Sequence, residues 1–312
     1  MKLKTHLILS WLFCIPALAD YAWLPKEKLL VLKTGWEIFK TNENFDSFND
    51  RRELLTDGFP SELSQNKLYL DAEYGFSNQW SGYFKSGFLD GKISERPGGR
   101  GLLSGSGLFD TALGLKWRTQ LEKPIFALEG GILIPPYSVD VTNTESLAIG
   151  DGVAGIIIKA HSGTKIRRFV LSVSPGLLFR FGGFSHQALL ETAASLVFKG
   201  FYFRLYESAA FSLSKEPGGN TFPNSEIGSG GSFSRLSTNP DLVTVGLKAG
   251  VNLSSKFRGE AYFTKTVWGS EAPNGFSFGI NLVSLLDFYE PDLREKIKEI
   301  PFSSEQEPES SL

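Results

Sequence analysis

From Pro25 onward the chain alternates. In "GFSFGINLVS", Phe276, Phe278, Ile280 and Leu282 fall on one side, and Ser277, Gly279 and Asn281 on the other. "VTVGLKAGVNL" repeats the pattern, with Val243, Val245, Leu247, Ala249, Val251 and Leu253 against Thr244, Gly246, Lys248, Gly250 and Asn252. A period of two is the mark of a β-strand whose faces meet different surroundings. It predicts twelve strands, over residues 28–40, 64–76, 79–90, 106–119, 124–134, 150–161, 167–180, 186–198, 200–213, 241–253, 256–267 and 275–287. "GSGLFDTALGLKWR" puts Phe109, Thr111, Leu113, Leu115 and Trp117 on one face, and Asp110, Ala112, Gly114, Lys116 and Arg118 on the other. Its first glycines, Gly105 and Gly107, read as a loop end, because a nucleotide-binding turn would need a helix after it.

The connections alternate in length. Residues 41–63, 91–105, 135–149 and 214–240 are long and polar, whereas Ser77-Asn78, Thr119 to Lys123, Ser162 to Lys165, Lys199-Gly200 and Ser254-Ser255 are tight turns. Only 181–185 and 268–274 are short where long connections are expected. Short turns at one end and longer loops at the other are the pattern of an outer-membrane barrel, and they put both chain ends on the periplasmic side. A tilted strand crosses hydrocarbon in about 9–11 residues. In lipid no sheet edge stays unpaired, so a spanning sheet has to close. The expected fold is therefore all-β: a closed antiparallel transmembrane barrel of twelve strands, with short periplasmic turns and longer extracellular loops. A secreted β-sandwich is the alternative, but it has no reason to sort its loops by length.

Aromatic residues collect at both strand ends. Phe76, Trp80, Trp117, Phe198, Phe201, Phe257 and Phe288 lie by the short turns; Phe39, Phe88, Phe109, Phe179, Phe211, Trp268 and Phe276 lie toward the long loops. Two interfacial girdles would have this distribution. Ordinary aromatic enrichment in strands is the plainer reading.

The N-terminus reads as a secretory signal over residues 1–19. Lys2 and Lys4 precede the apolar run Leu7 to Cys14, and Ala17-Leu18-Ala19 gives the cleavage pattern before Asp20. Cys14 is the only cysteine of the 312 residues, so the mature chain is expected to build no disulfides. Residues 20–289 form the expected barrel, with no room before the first strand for a passenger domain. Residues 290–312 form an acidic periplasmic tail, a short helix and then a disordered end; docking to a periplasmic partner is its sharper reading. A formal net charge of −2 gives no indication of nucleic acid.

Alternation also assigns the lumen. The inward set is Lys33, Glu37, Lys67, Asp71, Glu73, Lys85, Asp110, Lys116, Arg118, Glu129, Lys159, Arg168, Arg180, Glu191, Arg204, Lys248, Arg258 and Glu260, joined by Tyr69, Tyr83, Tyr202, Tyr206 and Tyr262. A lipid-facing charge at the midplane costs roughly 2–4 kcal/mol for Lys or Arg, which argues for the inward placement. A water-filled pore and a lumen closed by paired charges are both compatible with this set. Glu207 falls on the lipid face with Leu205 and Phe211, so a bulge or a position at the outer rim is expected there.

Enzyme chemistry finds little support. His161 stands beside Ser162, and His186 beside Ser185; adjacent residues on a strand point to opposite faces. Both histidines are expected at the surface or rim. No pair of histidines has metal-ligand spacing, and "NENFDSFNDRRE" lacks the ligand pattern of a calcium loop. No cofactor is expected and no catalytic residue is assigned; an outer-membrane lipid hydrolase is the weakest of three readings.

"GSGLFDTALGLKWR" resembles the G-x-G-D-x-x-L-G-x-K-Y-R element of several bacterial outer-membrane barrel families, with Phe109-Asp110 and Trp117 as local variants. "PIFALEGGILIP" looks like the next strand in those families. "AWLPKEKLLVLKTGW" and "QNKLYLDAEYGFSNQWSGYFK" are similar to the opening strands of xag-type barrels, which occur with exopolysaccharide and adhesion gene clusters. The resemblance implies a barrel surrounded by membrane lipid and lipopolysaccharide. It implies little about cargo and supplies no catalytic residue. The charged and tyrosine-bearing lumen is what points to passive passage of small solutes, with a link to export of a surface polymer. A closed barrel that displays its loops for adhesion or surface assembly is the alternative.

Overall fold

The computed structural model describes residues 23–45, 50–56, 59–95, 101–119, 124–136, 153–182, 185–214, 241–270 and 272–288. The signal segment 1–19, the tail 290–312 and most of the connections 135–149 and 214–240 lie outside the described residues. Among the described residues every regular element is a strand.

Twelve long strands make the wall: β1 Leu29–Thr41, β2 Phe59–Gly75, β3 Trp80–Glu95, β4 Gly101–Arg118, β5 Ile125–Ile134, β6 Gly155–Ile166, β7 Phe169–Arg180, β8 Gln187–Val197, β9 Phe201–Ser212, β10 Asp241–Asn252, β11 Phe257–Ser270 and β12 Phe276–Asp287. Each pairs antiparallel with its neighbours in sequence, and β1 closes the ring by pairing with both β2 and β12. Trp36, for example, stands opposite Leu68 on one side and Ile280 on the other.

The two faces separate as alternation predicts. Leu68, Leu128, Leu205 and Leu247 are more than half exposed on the outside, while Lys116, two strands from Leu68, is 3% exposed inside. Apolar exposure runs around the whole wall, far beyond the few hundred Å² a water-soluble monomer shows. The solvent of that face is hydrocarbon.

The short turns are built by local chemistry. The Ser77 hydroxyl accepts the backbone N–H groups of Gln79 and Trp80 at 3.2 and 3.1 Å. Ser254 repeats the device with Lys256 and Phe257. The turn expected at 162–165 is displaced: β6 runs on to Ile166, and the chain reverses at Arg167, whose φ is 58°. The β6 pattern is shifted by five residues from the expected 150–161, because alternation alone does not say where a strand stops.

Among the described residues the register shifts at three places, one of them between Ile93 and Ser94 near the long-loop end. In β4, Lys85 pairs with Ala112 but Gly87 pairs with Phe109, so Asp110 and Thr111 together oppose Ser86. Phe109 therefore points inward, not to the lipid side assigned by unbroken alternation. In β11, Val243 pairs with Trp268 and Thr244 with Thr266, which leaves Val267 as the extra residue. No register shift occurs at Glu207, which pairs with Thr192 and with Val245 in the middle of β9. It faces outward without a bulge and away from the rim.

The long-loop end departs most from expectation. Residues 91–95 and 101–105 belong to β3 and β4, so Gly105-Ser106-Gly107 is strand. The connection after β1 is a strap across the mouth: residues 43–45 pair with 51–53 and with 272–273. Leu54 is 0% exposed and packs with Leu63, Ile93, Phe39 and Leu103, an apolar cluster inside the mouth. Phe39 thus turns inward and leaves the outer girdle. Asn274 secures the strap by donating from Nδ2 to Glu43 Oε2 at 2.7 Å, and its carbonyl accepts from Thr41 Oγ1 at 3.0 Å.

Candidate functional site: the charged lumen

The inward side chains form two unlike halves. On the β2–β8 side the charges are tightly paired. Lys116 Nζ donates to Glu73 at 2.7 Å, and Lys159 Nζ to Glu191 at 2.7 Å. Ser81 Oγ adds a second donor to Glu73 at 2.7 Å. Lys85 rests over the Tyr83 ring, 5.3 Å from its centroid. Arg180 is inward and buried at the long-loop end, where its Nε donates to the Ser185 carbonyl at 2.6 Å.

His161 is the main correction here. It is not at the surface or rim but buried in the wall, with Nε2 3.0 Å from Glu129 and Nδ1 2.8 Å from Ser174 Oγ. The serine is on the next strand, where pairing places it; the adjacent Ser162 faces away. Carboxylate, imidazole and hydroxyl are thus connected, yet all three are buried. His186 is exposed, with its ring edge-on to Phe179 at 5.4 Å.

On the other side, β9 to β12 with β1 and β2, tyrosines and longer pairs line open space. Lys33 lies 3.7 Å from Asp71 and 5.1 Å from the Tyr69 ring centroid. Glu260 lies 3.5 Å from Lys248 and 3.9 Å from Arg258, and accepts from Tyr202 at 2.6 Å and from Asn281 at 3.0 Å. Glu37 accepts from Tyr262 at 2.5 Å and from Ser277 at 3.1 Å. Tyr69 also bonds Asn281. Lys67 sits over the rings of Tyr69 and Phe109 at 5.9 and 4.4 Å. Arg204 is buried on β9. A cavity of about 420 Å³ lies between Lys33, Glu37, Lys67, Arg204, Tyr206 and Lys248.

The tyrosines lie flat along the wall because glycine faces them from the adjacent strand. A Cβ at Gly114 would sit 2.5 Å from the Tyr83 ring and hydroxyl, and Gly35, Gly246, Gly250 and Gly279 face Tyr69, Tyr206, Tyr202 and Tyr262 in the same way. Glycine on the inner face is a packing requirement of these rings.

Two residues of the expected inward set fall elsewhere. Arg168 is exposed in the β6–β7 turn, its guanidinium 5.4 Å from the Phe198 ring centroid. Arg118 reaches the neighbouring turn at the short-turn rim, donating to the Asn78 carbonyl at 2.7 Å. The side chain of Asp110, on the bulge, lies outside the described residues. The sequence pattern did not single out His161 and Ser174 as lumen residues, although His161 shares the face of Lys159, two residues before it. Among the described residues no group of His, Cys, Asp or Glu side chains assembles as a metal site.

Closed wall, apolar belt and charged interior together define a transmembrane β-barrel of the outer-membrane type. The fold is similar to an outer membrane channel from Pseudomonas putida F1, with a TM-score of 0.66, 9% identity, and coverage of 86% of this chain and 99% of that one. The translocator domain of the autotransporter NalP from Neisseria meningitidis gives a TM-score of 0.46 at 10% identity, covering 83% of this chain and 89% of that one. The sequence matches no protein-family model and no curated protein.

Proposed function

We propose that this chain is a channel of the bacterial outer membrane for small hydrophilic solutes. The observation that carries the reading is the cavity of about 420 Å³ on the tyrosine-bearing side of a charged lumen. The opposite side is packed by Glu129, His161 and Ser174. A fully structural filling has no need to leave polar space on one side only. The apolar belt and the signal-like segment 1–19 support the outer-membrane location. Solved channels of the same fold, such as the Pseudomonas putida F1 protein, support the function as analogy. Passage of a surface polymer needs a wider path than this cavity offers. The reading assigns no reaction to Ser174 and His161, which are too buried to meet a substrate.

The test is conductance of the folded protein in planar bilayers. Discrete single-channel steps are expected. A barrel that shows none, even after Leu54→Asp loosens the strap, overturns the reading. The strap itself favours a second one, a closed barrel that displays its outer loops. Loss of surface attachment on deletion of 43–53, without conductance in either form, would establish that instead.

A further inference from the structure

Glu207 borders the cavity from a strand position whose side chain alternation directs outward. The inward carboxylates at and near the cavity are engaged locally. Asp71 holds Lys33, Glu260 holds Lys248, and Glu191 holds Lys159. Glu37 is occupied by the hydroxyls of Tyr262 and Ser277. Lys67 differs. Its ammonium rests on the rings of Tyr69 and Phe109, with no carboxylate partner among the described residues. Aromatic faces stabilise a desolvated cation without neutralising it. They also leave its N–H donors available to an oxyanion. Phe109 reaches this position only because the β4 bulge turns it inward.

The same cavity contains Tyr206, whose ring lies 5.9 Å from Lys248 and whose hydroxyl has no hydrogen-bond partner among the described residues. Ser208 lines the cavity beside it. Glu37 stands opposite Lys67 across the β1–β2 pair but is not ion-paired with it. An ammonium outside any ion pair among the described residues, with neighbouring hydroxyls, makes a site for an anion that also carries hydroxyls. The volume is within the range of about 300–1,000 Å³ typical of small-molecule sites.

We infer that the cavity binds a small hydroxylated carboxylate, the size of a uronic or aldonic acid, with its carboxylate on Lys67 and its hydroxyls against Tyr206 and Ser208. The inference rests on the channel reading for the solute's route, but binding itself does not require conduction.

The experiment titrates the folded full-length protein in detergent micelles with glucuronate, and separately with glucose as the neutral counterpart, by calorimetry. The same solutes are then added in planar bilayers. Saturable binding of glucuronate is expected, about tenfold or more tighter than glucose, as one charge-assisted contact supplies. Lys67→Met should weaken glucuronate about tenfold, and Lys67→Arg should retain most of the affinity; heat-modifiable gel mobility confirms that each variant folds. Equal binding of glucose, no saturable binding, or an unchanged Lys67→Met would overturn the site. Conductance without glucuronate binding sinks the site and leaves the channel. Binding without conductance upholds the site and sinks the channel.

Discussion

His161 Nε2 and Glu129 Oε2 meet at 3.0 Å across the β5–β6 pair, with 1% and 4% of their side chains exposed. Ser174 Oγ completes the set from β7. Three adjacent strands are thus joined inside the wall by a chain of buried polar contacts. Removing one member deprives a buried carboxylate or imidazole of one of its contacts. His161→Ala is expected to lower stability by about 3 kcal/mol. Urea unfolding in lipid vesicles, followed by tryptophan fluorescence, measures it; a loss of a few tenths would mean the network carries no weight.

Glycine requirements distinguish the two faces. At Gly114 a Cβ would collide with Tyr83, whereas at Gly130, on the outer face of β5, it would meet nothing within 4 Å. Gly114→Ala should cost about 1–3 kcal/mol by overpacking. Gly130→Ala should be neutral. The two variants are compared in the same vesicle assay, and equal effects would contradict the packing account of the inner glycines.

Leu54 closes the apolar cluster inside the mouth. An aspartate there would bury a charge among Leu63, Ile93 and Phe39, so the strap should release. On the channel reading, Leu54→Asp raises single-channel conductance several-fold while the wall stays folded. Conductance equal to that of the parent protein would show that the strap is no barrier.

The β4 bulge reverses the faces of residues beyond it. Phe109→Cys should react with a hydrophilic maleimide through the lumen, and Leu108→Cys only with a lipid-soluble one. Cys14 is the chain's only native cysteine, so each variant also carries Cys14→Ser and each label reports one site. The opposite pattern would mean that alternation runs unbroken through Asp110 and Thr111.

Glu207 faces lipid in mid-strand between Thr192 and Val245. A carboxylate in hydrocarbon is a cost, smaller than the roughly 2–4 kcal/mol of Lys or Arg at the midplane. Glu207→Leu is therefore expected to stabilise the barrel by about 1 kcal/mol in vesicles. A destabilised variant would point to a partner for Glu207 in the membrane.

Alternation is a local property, and features set by local geometry are readable from the chain. It yielded all twelve strands, the outward belt of Leu68, Leu128 and Leu205, and the inward charges from Lys33 to Glu260 other than Arg118, Arg168 and Asp110. It carried no information on pairing. Whether Ser162 or Ser174 meets His161 depends on the register between β6 and β7, and which charge meets Glu73 or Glu191 depends on neighbours 30 or more residues away. A bulge adds one residue without changing the hydrophobic pattern on either side, so Phe109 changed faces unseen. Leu54 and Asn274 lie far apart in sequence and meet their neighbours only after the ring closes. Closure decides which polar side chains share an interior, and therefore where that interior is packed and where it is left open.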